Sequence, residues 1–327
     1  MVIVLFTRIL GTGGYLPTQV RTNADLEQMV ETSDTWIVER TGIHERRIAS
    51  PQETASFMGT KAAAQALEAA GLAASDIDAV ICATTSGQNA FPSTACEIAL
   101  ALGMSAPIAF DVAAACAGFS YAYSVAHNMI LCGQAKNVLI VGVDSLSHAC
   151  SNQDRTTVIL FGDGAGACVL GASDEPGTLA IKLSSDPSRG DLLRLPLPRR
   201  PQDLAAGESN DDAYLYMKGN DVFKHAVTIL ASLVKDTLQA AQMDESQLDF
   251  LVPHQANLRI ITATARKLKL DMSQVIVTLD KQGNTSAASV PLALDEGIRQ
   301  GRIQRGHNLL LESFGGGFVW GAALVRY

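Results

Sequence analysis

Two stretches of the chain resemble each other, and they indicate the fold most directly. The first, LEAAGLAASDIDAVICA, spans Leu67–Ala83, and the second, LQAAQMDESQLDFLVP, spans Leu238–Pro253, half a chain further on. In each stretch an alanine-rich helical end leads through a polar turn into an apolar run typical of a buried strand. Leu139–Val141 and Leu309–Leu311 match at nearly the same offset. Repeats half a chain apart predict two duplicated halves, with a chance match of small residues as the alternative.

Apolar runs of strand type alternate with helical patterns along the whole chain. This alternation predicts an α/β protein with βαβ units, mostly parallel strands and helices on both sheet faces. The boundary is expected at Ser173–Gly177, giving domains 1–174 and 175–327. A Pro-rich surface loop is expected at Leu195–Asp212. The expected helices include Met58–Ala70 and Phe119–Leu131, and the expected strands are Val80–Ala83, Val138–Val143, Val158–Phe161, Phe250–Val252, Val275–Leu279 and Leu309–Leu311.

Composition excludes several classes of protein. Of the 327 residues 47% are hydrophobic and 18% charged, which supplies a core and excludes disorder. A net charge of −8 disfavours nucleic acid and anionic membranes as partners. The uncharged stretch Val112–Ala135 is interrupted by polar residues such as Ser120 and His127, so we interpret it as a buried helix. The six cysteines form no close pairs, which predicts no metal site and a globular cytoplasmic protein.

A glycine motif invites a misleading interpretation. Gly162–Ala167 fits the permissive dinucleotide fingerprint G-x-G-x-x-A, which must open a helix. Here Cys168–Leu170 resumes strand character instead. We therefore expect a tight turn between two strands and no nicotinamide cofactor.

Cys116 follows an expected strand end and precedes the helix Phe119–Leu131, among alanines and Gly118. A helix N-terminus favours a thiolate, and lowering a thiol pKa from about 8.5 to about 7 takes roughly 2 kcal/mol. The alternative is a small core residue.

His254 and Asn284 stand in similar settings, because each follows an expected strand. Side chains at the carboxyl ends of strands gather at one crevice in such sheets. The alternatives are a hydrogen-bonded loop histidine and a helix-capping asparagine. If the duplicated halves share a crevice, Cys116, His254 and Asn284 meet there.

Four segments closely resemble β-ketoacyl-[acyl-carrier-protein] synthase III, a family of the thiolase superfamily: Asp111–Phe119, His254–Asn257, Gly283–Ser289 and Phe314–Gly321. The resemblance implies a thiolase-like fold of duplicated α/β halves in a five-layer αβαβα arrangement. It also implies a Cys-His-Asn catalytic set, whereas elongation synthases use two histidines and thiolases a second cysteine.

The resemblance implies a role for each of these residues. Cys116 attacks the thioester of acetyl-CoA, and the resulting acetyl-enzyme condenses with malonyl-acyl-carrier protein to give acetoacetyl-carrier protein, CoA and CO2, which starts type II fatty acid synthesis. His254 and Asn284 donate hydrogen bonds to the enolate left by decarboxylation, and the backbone N–H groups of Cys116 and Gly316 form a second oxyanion hole. The CoA thioester is then a substrate, and no cofactor is expected.

The same resemblance implies binding residues. Trp36, Arg40 and Arg155 bind CoA, and Phe91 enters the acyl pocket of the partner subunit, which implies a homodimer. A bulky residue there favours a short primer such as acetyl. Trp36 by itself is otherwise interpreted as a packing residue.

A basic surface is expected near the site, although the protein as a whole is acidic. A helix after His254 carries an apolar stripe, and its exposed basic residues are expected to dock the acidic carrier protein. A solvated helix face is the alternative. The residues concerned are Arg259, Arg266 and Lys267 on that helix, with Lys224, earlier in the chain, as a further contact.

Other functions stay open at this point. A related synthase could make a polyketide or quinolone, a cysteine-dependent enzyme could hydrolyse thioesters, and a non-catalytic protein could keep the fold for acyl binding. The primer preference is not determined by these patterns.

Overall fold

The computed structural model describes residues 6–198 and 213–327. The first half of the chain builds a sheet of five strands: β1 (Phe6–Tyr15), β4 (Ala79–Ala83), β5 (Ile108–Val112), β6 (Asn137–Ser145) and β7 (Asp163–Ser173). They pair in the order β1-β7-β6-β4-β5. The central strands are apolar and buried on both faces, because helices cover both sides.

The second half of the chain builds a sheet of four strands: β8 (Thr178–Ser185), β11 (Phe250–Pro253), β12 (Asn308–Gly315) and β13 (Val319–Arg326). They pair in the order β11-β12-β13-β8. Two short two-stranded ribbons lie outside the main sheets. One pairs β2 (Gln19–Thr22) with β3 (Glu45–Ile48), and the other pairs β9 (Leu193–Arg194) with β10 (Tyr216–Met217).

The helices and sheets form five layers. Helices α3 (Ala55–Ala70) and α4 (Thr94–Ala101) cover the outer face of the first sheet. Helices α5 (Gly118–Leu131) and α10 (Ser289–Arg299) lie between the two sheets, and α7 (Gly219–Ala240) covers the outer face of the second. This confirms the expected αβαβα arrangement. The remaining helices are α1 (Asn23–Glu27), α2 (Asp34–Thr41), α6 (Arg155–Val158), α8 (Leu258–Lys267) and α9 (Leu279–Gln282).

The duplication extends to individual hydrogen bonds. The Asp78 carboxylate accepts the backbone N–H of Asn137 at 2.9 Å, and Asp249, its equivalent in the second half, accepts that of Asn308 at 2.7 Å. The short 3-10 turns Ala115–Ala117 and Ser286–Ala288, which open α5 and α10, are related by the same offset. Equivalent loops of the two halves therefore meet between the sheets.

Two strand predictions are wrong. Val158 is the last residue of the short helix α6, and the chain then continues into a turn. This helix begins where it does because Asp154 caps it, accepting the N–H of Thr156 at 2.9 Å. A short buried apolar run has no periodicity that separates strand from helix. Val275–Leu279 forms only one bridge to β11, at Val275.

Beside Val275–Leu279, a glutamine side chain makes backbone hydrogen bonds that a neighbouring strand would otherwise make. The Gln255 side chain donates to the carbonyl of Ile276 at 3.0 Å and accepts the N–H groups of Thr278 and Leu279. Because these backbone groups are satisfied by a side chain, the segment turns into α9 instead of extending the sheet.

Strand pairing and the glycine motif also differ from expectation. Both sheets are mixed rather than mostly parallel, since β7 and β13 run antiparallel to their neighbours. The motif Gly162–Ala167 does not open a helix, as expected, but it lies largely within β7 instead of forming a turn between strands. A Cβ on Gly166 would lie 2.6 Å from the backbone N of Leu292, so glycine lets α10 pack closely on the sheet.

Two further predictions concern the middle of the chain. Most of the surface loop expected at Leu195–Asp212 lies outside the described residues. The domain boundary stays a prediction; the five-stranded sheet is built from strands before it and the four-stranded sheet from strands after it. Within residues 6–198 and 213–327, no helix is long and apolar enough to cross a membrane.

Candidate active site

Cys116 lies in the 3-10 turn between β5 and α5, 5% exposed. The backbone of Gly315, at the end of β12, comes so close that a Cβ there would lie 2.7 Å from the Cys116 backbone N. Only glycine allows this approach. The next residue, Gly316, directs its backbone N–H to the Cys116 thiol. The backbone N–H groups of Cys116 and Gly316 therefore lie beside the sulfur, and their role as an oxyanion hole stays a prediction.

The turns that carry the site are held in an uncommon backbone conformation. Ala115 has φ 44° and its equivalent in the second half, Ser286, has φ 52°. A non-glycine residue in this left-handed region costs on the order of 1–3 kcal/mol, and such residues concentrate at functional sites. The same conformation in both halves positions two loops against each other across the layer between the sheets.

His254 follows β11 directly, and its backbone N–H donates to the carbonyl of Glu312 on β12 at 2.8 Å. The ring is 7% exposed, and its Nδ1 has no hydrogen-bond partner among the described residues. Burial lowers the pKa of His254 to about 4. The imidazole is therefore neutral at physiological pH and carries one N–H that can be donated to a substrate oxygen.

Asn284 is oriented by its own loop. Its backbone N–H donates to the carbonyl of Leu160 at 2.8 Å, and its Oδ1 accepts the backbone N–H of Ser286 at 2.9 Å. Since the oxygen is occupied, the Nδ2 amide is the group available to the cavity. Asn284 therefore supplies a neutral donor where a developing negative charge would need one.

The electrostatics of Cys116 differ from expectation. Burial raises the pKa of the thiol to about 11, although hydrogen bonds from the Ser286 hydroxyl and the backbone N–H of Gly316 act in the opposite direction. The thiol pKa is therefore raised where a lowered one was expected, because removal from water outweighs these hydrogen bonds. A thiol and a neutral imidazole face the substrate space.

Cys116, His254 and Asn284 line one cavity of about 250 Å³, although they come from positions far apart in the chain. Trp36 and Arg40 line the same cavity. In α2 these two residues are one helical turn apart, so that both side chains project from the same face.

Two arginines contact the Trp36 ring. The guanidinium carbons of Arg40 and Arg155 each lie 4.9 Å from its centroid, within cation–π range. Arg155 is not part of the cavity lining, but its neighbour Thr156 is. The three residues expected to bind CoA are thus adjacent at the cavity.

The residues expected to bind the carrier protein lie on the surface around the same cavity. Arg259 lines the cavity and contacts the ring of Phe223 at 5.4 Å, while Lys224 is exposed on α7. Arg266 and Lys267 are exposed at the end of α8, with the apolar stripe of that helix facing inward.

Phe91 lies elsewhere. It is 87% exposed and does not line the cavity.

Sequence reasoning missed two polar groups beside the sulfur. The Ser286 hydroxyl lies 3.5 Å from the Cys116 Sγ, and the buried Asp144 carboxyl on β6 bonds to the same loop. The usable signal was the internal repeat, because Ser286 occupies the position of Ala115 in the second half. Nothing in the local sequence of Asp144 indicates its contact with residues 286–287.

Comparison with known proteins agrees with this geometry. A family model for 3-oxoacyl-[acyl-carrier-protein] synthase III matches residues 110–187, and the model for its C-terminal part matches residues 238–327. The β-ketoacyl-[acyl-carrier-protein] synthase III 1 of Vibrio vulnificus is 59% identical over 323 residues, covering 99% of this chain and 100% of that protein.

Two solved structures extend the comparison. The 3-oxoacyl-[acyl-carrier-protein] synthase III of Aquifex aeolicus is 44% identical with a TM-score of 0.92, covering 98% of this chain and 100% of that one. The priming β-ketosynthase of the R1128 polyketide biosynthetic pathway is 35% identical with the same TM-score, covering 98% and 96%.

The fold and these relatives define a condensing acyltransferase with the thiolase fold. Identity of this degree over nearly the full length of both chains specifies more than the fold. The chain belongs to the β-ketoacyl-[acyl-carrier-protein] synthase III family.

Proposed function

We propose that the protein condenses acetyl-CoA with malonyl-acyl-carrier protein to give acetoacetyl-carrier protein, CoA and CO2, and so starts type II fatty acid synthesis. The observation that carries the proposal is the shared cavity of Cys116, His254 and Asn284. A thiol with two neutral donors suits acyl transfer followed by decarboxylation.

In the first step Cys116 attacks the acetyl thioester. The backbone N–H groups of Cys116 and Gly316, which lie beside the sulfur, stabilise the oxyanion that forms on the acyl carbon. CoA leaves, and the acetyl group stays on Cys116. Trp36 and the two arginines that contact it hold CoA at the cavity by stacking and charge.

In the second step malonyl-carrier protein enters the same cavity and loses CO2. The enolate oxygen accepts hydrogen bonds from the neutral His254 ring and the Asn284 amide, and the carbanion then attacks the acetyl group. The low pKa of His254 keeps its ring neutral, so that it is an effective donor without carrying charge into the cavity.

Intact mass spectrometry separates this function from its alternatives. Incubation with acetyl-CoA should add one acetyl group, which is absent in Cys116→Ala, and added malonyl-carrier protein should convert it to acetoacetyl-carrier protein. Release of free acetate would instead indicate a thioester hydrolase. Absence of any adduct would indicate a non-catalytic acyl-binding protein.

One solved relative supports a second candidate function for this protein. The similar chain from the R1128 pathway primes polyketide synthesis, so a polyketide or quinolone synthase of this fold would differ from the proposed enzyme in its starter or extender. A series of acyl-CoA starters in the same mass assay distinguishes them, because the proposed enzyme should load acetyl fastest.

We further propose that the carrier protein docks on Lys224, Arg259, Arg266 and Lys267. From His254 to Leu270 there are four Arg or Lys residues and no acidic one. The four residues proposed for docking, which include Lys224 from α7, are all exposed. Attraction between exposed charges is screened by salt.

Reversing one of these charges tests the docking surface. Arg259→Glu should raise the KM for malonyl-carrier protein at least about tenfold and flatten its salt dependence. An unchanged KM would exclude this surface, and Lys61→Glu, an exposed reversal on α3, is the control.

A homodimer is supported by exposed apolar side chains beside the edge strand β5. Phe91, Leu100 and Ile108 are 87%, 80% and 45% exposed, and the outer edge of β5 pairs with no other described strand. A second copy would cover this edge and receive Phe91 in its acyl pocket.

The remaining proposals concern cofactors and the cellular compartment. The CoA thioester is a substrate, and the proposed chemistry requires no cofactor or metal. The six cysteines are free thiols, which suits the reducing cytoplasm.

A further inference from the structure

Arg46, on β3, is a buried cation that is held by neutral groups alone. The residue is 0% exposed. Its Nη1 donates to the Asn23 Oδ1 at 2.8 Å and to the carbonyl of Arg21 at 3.2 Å, and its Nη2 donates to the carbonyl of Ile159 at 2.7 Å. Burying a charge without an opposite charge is costly, so an apolar residue would suit a simple core position better. What these hydrogen bonds hold in place therefore indicates why the residue is an arginine.

The bond to Ile159 holds the wall of the cavity against which Asn284 lies. The carbonyl of the next residue, Leu160, accepts the backbone N–H of Asn284 at 2.8 Å, and the backbone N–H of Gly162 donates to the carbonyl of Asn284 at 3.0 Å. Ile159, Leu160 and Asn284 all line the cavity. A displacement of Ile159 is therefore passed to Asn284 through two backbone hydrogen bonds. We call residues 159–162 the wall segment.

The stem of Arg46 packs against glycines on both sides of the same contact. A Cβ on Gly283 would lie 2.9 Å from the Arg46 Cβ, and a Cβ on Gly162 would lie 3.1 Å from it. Gly283 directly precedes Asn284 and has φ 66°, in the left-handed region that favours glycine. One side chain therefore touches the segment that carries Asn284 with its stem and the wall segment with its guanidinium.

The other end of the guanidinium leads to the helix that carries Trp36. While the Asn23 Oδ1 accepts from Arg46, the Asn23 Nδ2 donates to the Asp34 carboxylate at 2.8 Å. Asp34 is the first residue of α2, two positions before Trp36. Arg46 thus fastens the wall segment to a second part of the cavity, which gives the wall a fixed support.

We infer that Arg46 is a positioning residue for Asn284 and, through it, for the condensation step. Arg46 does not line the cavity; it fixes the Asn284 amide at the place where the enolate oxygen forms. Groups that act on a reacting atom must be held within about 0.5 Å, and a misplacement of about 1 Å can cost about 10²-fold in rate. The inference rests on the proposed function for the role of the Asn284 amide.

Arg46→Met tests the inference, because it keeps most of the stem and removes all three hydrogen bonds. CO2 release from malonyl-carrier protein, counted per acetylated enzyme, should fall at least about tenfold, whereas acetylation of Cys116 at saturating acetyl-CoA should stay within about threefold of the wild type. A loss of folded protein would lower the acetylated fraction and leave the rate per acetylated enzyme unchanged. Arg47→Met is the matched control on the same strand, since the Arg47 guanidinium bonds to the Glu45 carboxylate at 3.5 Å.

Two further variants sharpen the test. Arg46→Lys keeps the charge, but one ammonium cannot replace both guanidinium nitrogens, so its rate per acetylated enzyme should lie between those of Arg46→Met and the wild type. It answers the same question if Arg46→Met does not fold. Adding either substitution to Asn284→Ala should lower condensation by less than about twofold more, because the amide that Arg46 positions is then absent.

A rate per acetylated enzyme equal to that of the wild type and Arg47→Met, or fully additive losses in the double variant, would overturn the inference. A crystal structure of Arg46→Met tests it without any substrate, because the Asn284 amide should move by at least about 0.5 Å together with the wall segment; an unmoved amide would overturn it. Conversely, a wild-type protein that makes no acetoacetyl-carrier protein, with the amide displaced in Arg46→Met, would refute the proposed function and leave the positioning role standing.

Discussion

Replacing Asn284 by aspartate tests the second step of the reaction while leaving the shape of the site nearly unchanged. The two side chains have the same size, and a carboxylate oxygen at this position could still accept the backbone N–H of Ser286, which bonds to the present Oδ1 at 2.9 Å. The loop is also fixed by two backbone hydrogen bonds, to Leu160 and from Gly162. Only the Nδ2 donor is lost.

The magnitude follows from that single donor. Losing one hydrogen bond to a developing oxyanion costs about 2.7–4 kcal/mol, or 10²–10³ in kcat. Asn284 is 5% exposed, so an ionised carboxylate there would also repel the enolate with little screening by water. We therefore expect condensation to fall by at least about 10²-fold, with acetylation of Cys116 within about threefold of the wild type.

The assay follows each step separately: the acetyl adduct by intact mass, and CO2 release from malonyl-carrier protein by the preloaded enzyme. Lowering the pH should restore part of the rate, because a protonated carboxyl regains an O–H donor. Asn128→Asp, on the exposed face of α5, is the control for the added charge. Condensation by Asn284→Asp at nearly the wild-type rate, or equal losses in both steps, would refute the assignment of Asn284 to the enolate.

Two further predictions concern CoA binding and pH. Trp36→Ala should raise the KM for acetyl-CoA about 5- to 150-fold, since base stacking on an aromatic ring is worth about 1–3 kcal/mol. An unchanged KM in steady-state kinetics would contradict stacking. Burial raises the pKa of Glu312 from 4.5 to about 8, and neither of its carboxyl oxygens has a partner among the described residues. The folded state therefore binds the proton more tightly than the unfolded state, so this contribution to stability is complete below about pH 4.5 and is lost as the pH rises through about 8. Denaturant unfolding should show the wild type losing more stability than Glu312→Gln between pH 5 and pH 9, whereas parallel losses would show that Glu312 is ionised in the fold.

Much of the candidate site could be found from the sequence because its chemistry depends on residue type at single positions. Cys116 and His254 each follow an apolar run directly, and Asn284 follows one after a short polar turn. The internal repeat predicts that equivalent loops of two halves meet, and the 3-10 turns 115–117 and 286–288 do so. Periodicity and spacing are local properties, so they are visible in the chain itself.

What the tertiary structure decided depends on contacts between distant residues and on removal from water. Val275–Leu279 is apolar enough for a strand, yet the side chain of Gln255, some twenty residues away, satisfies its backbone and ends the sheet there. The thiol pKa of Cys116 is raised rather than lowered because the surrounding layers exclude water, which no local pattern reports. The Asp144 Oδ2 accepts the backbone N–H of Ala287, and the Ser286 hydroxyl lies 3.5 Å from the Cys116 Sγ. Both contacts join residues from different halves of the chain, so only the packing of one half against the other makes them.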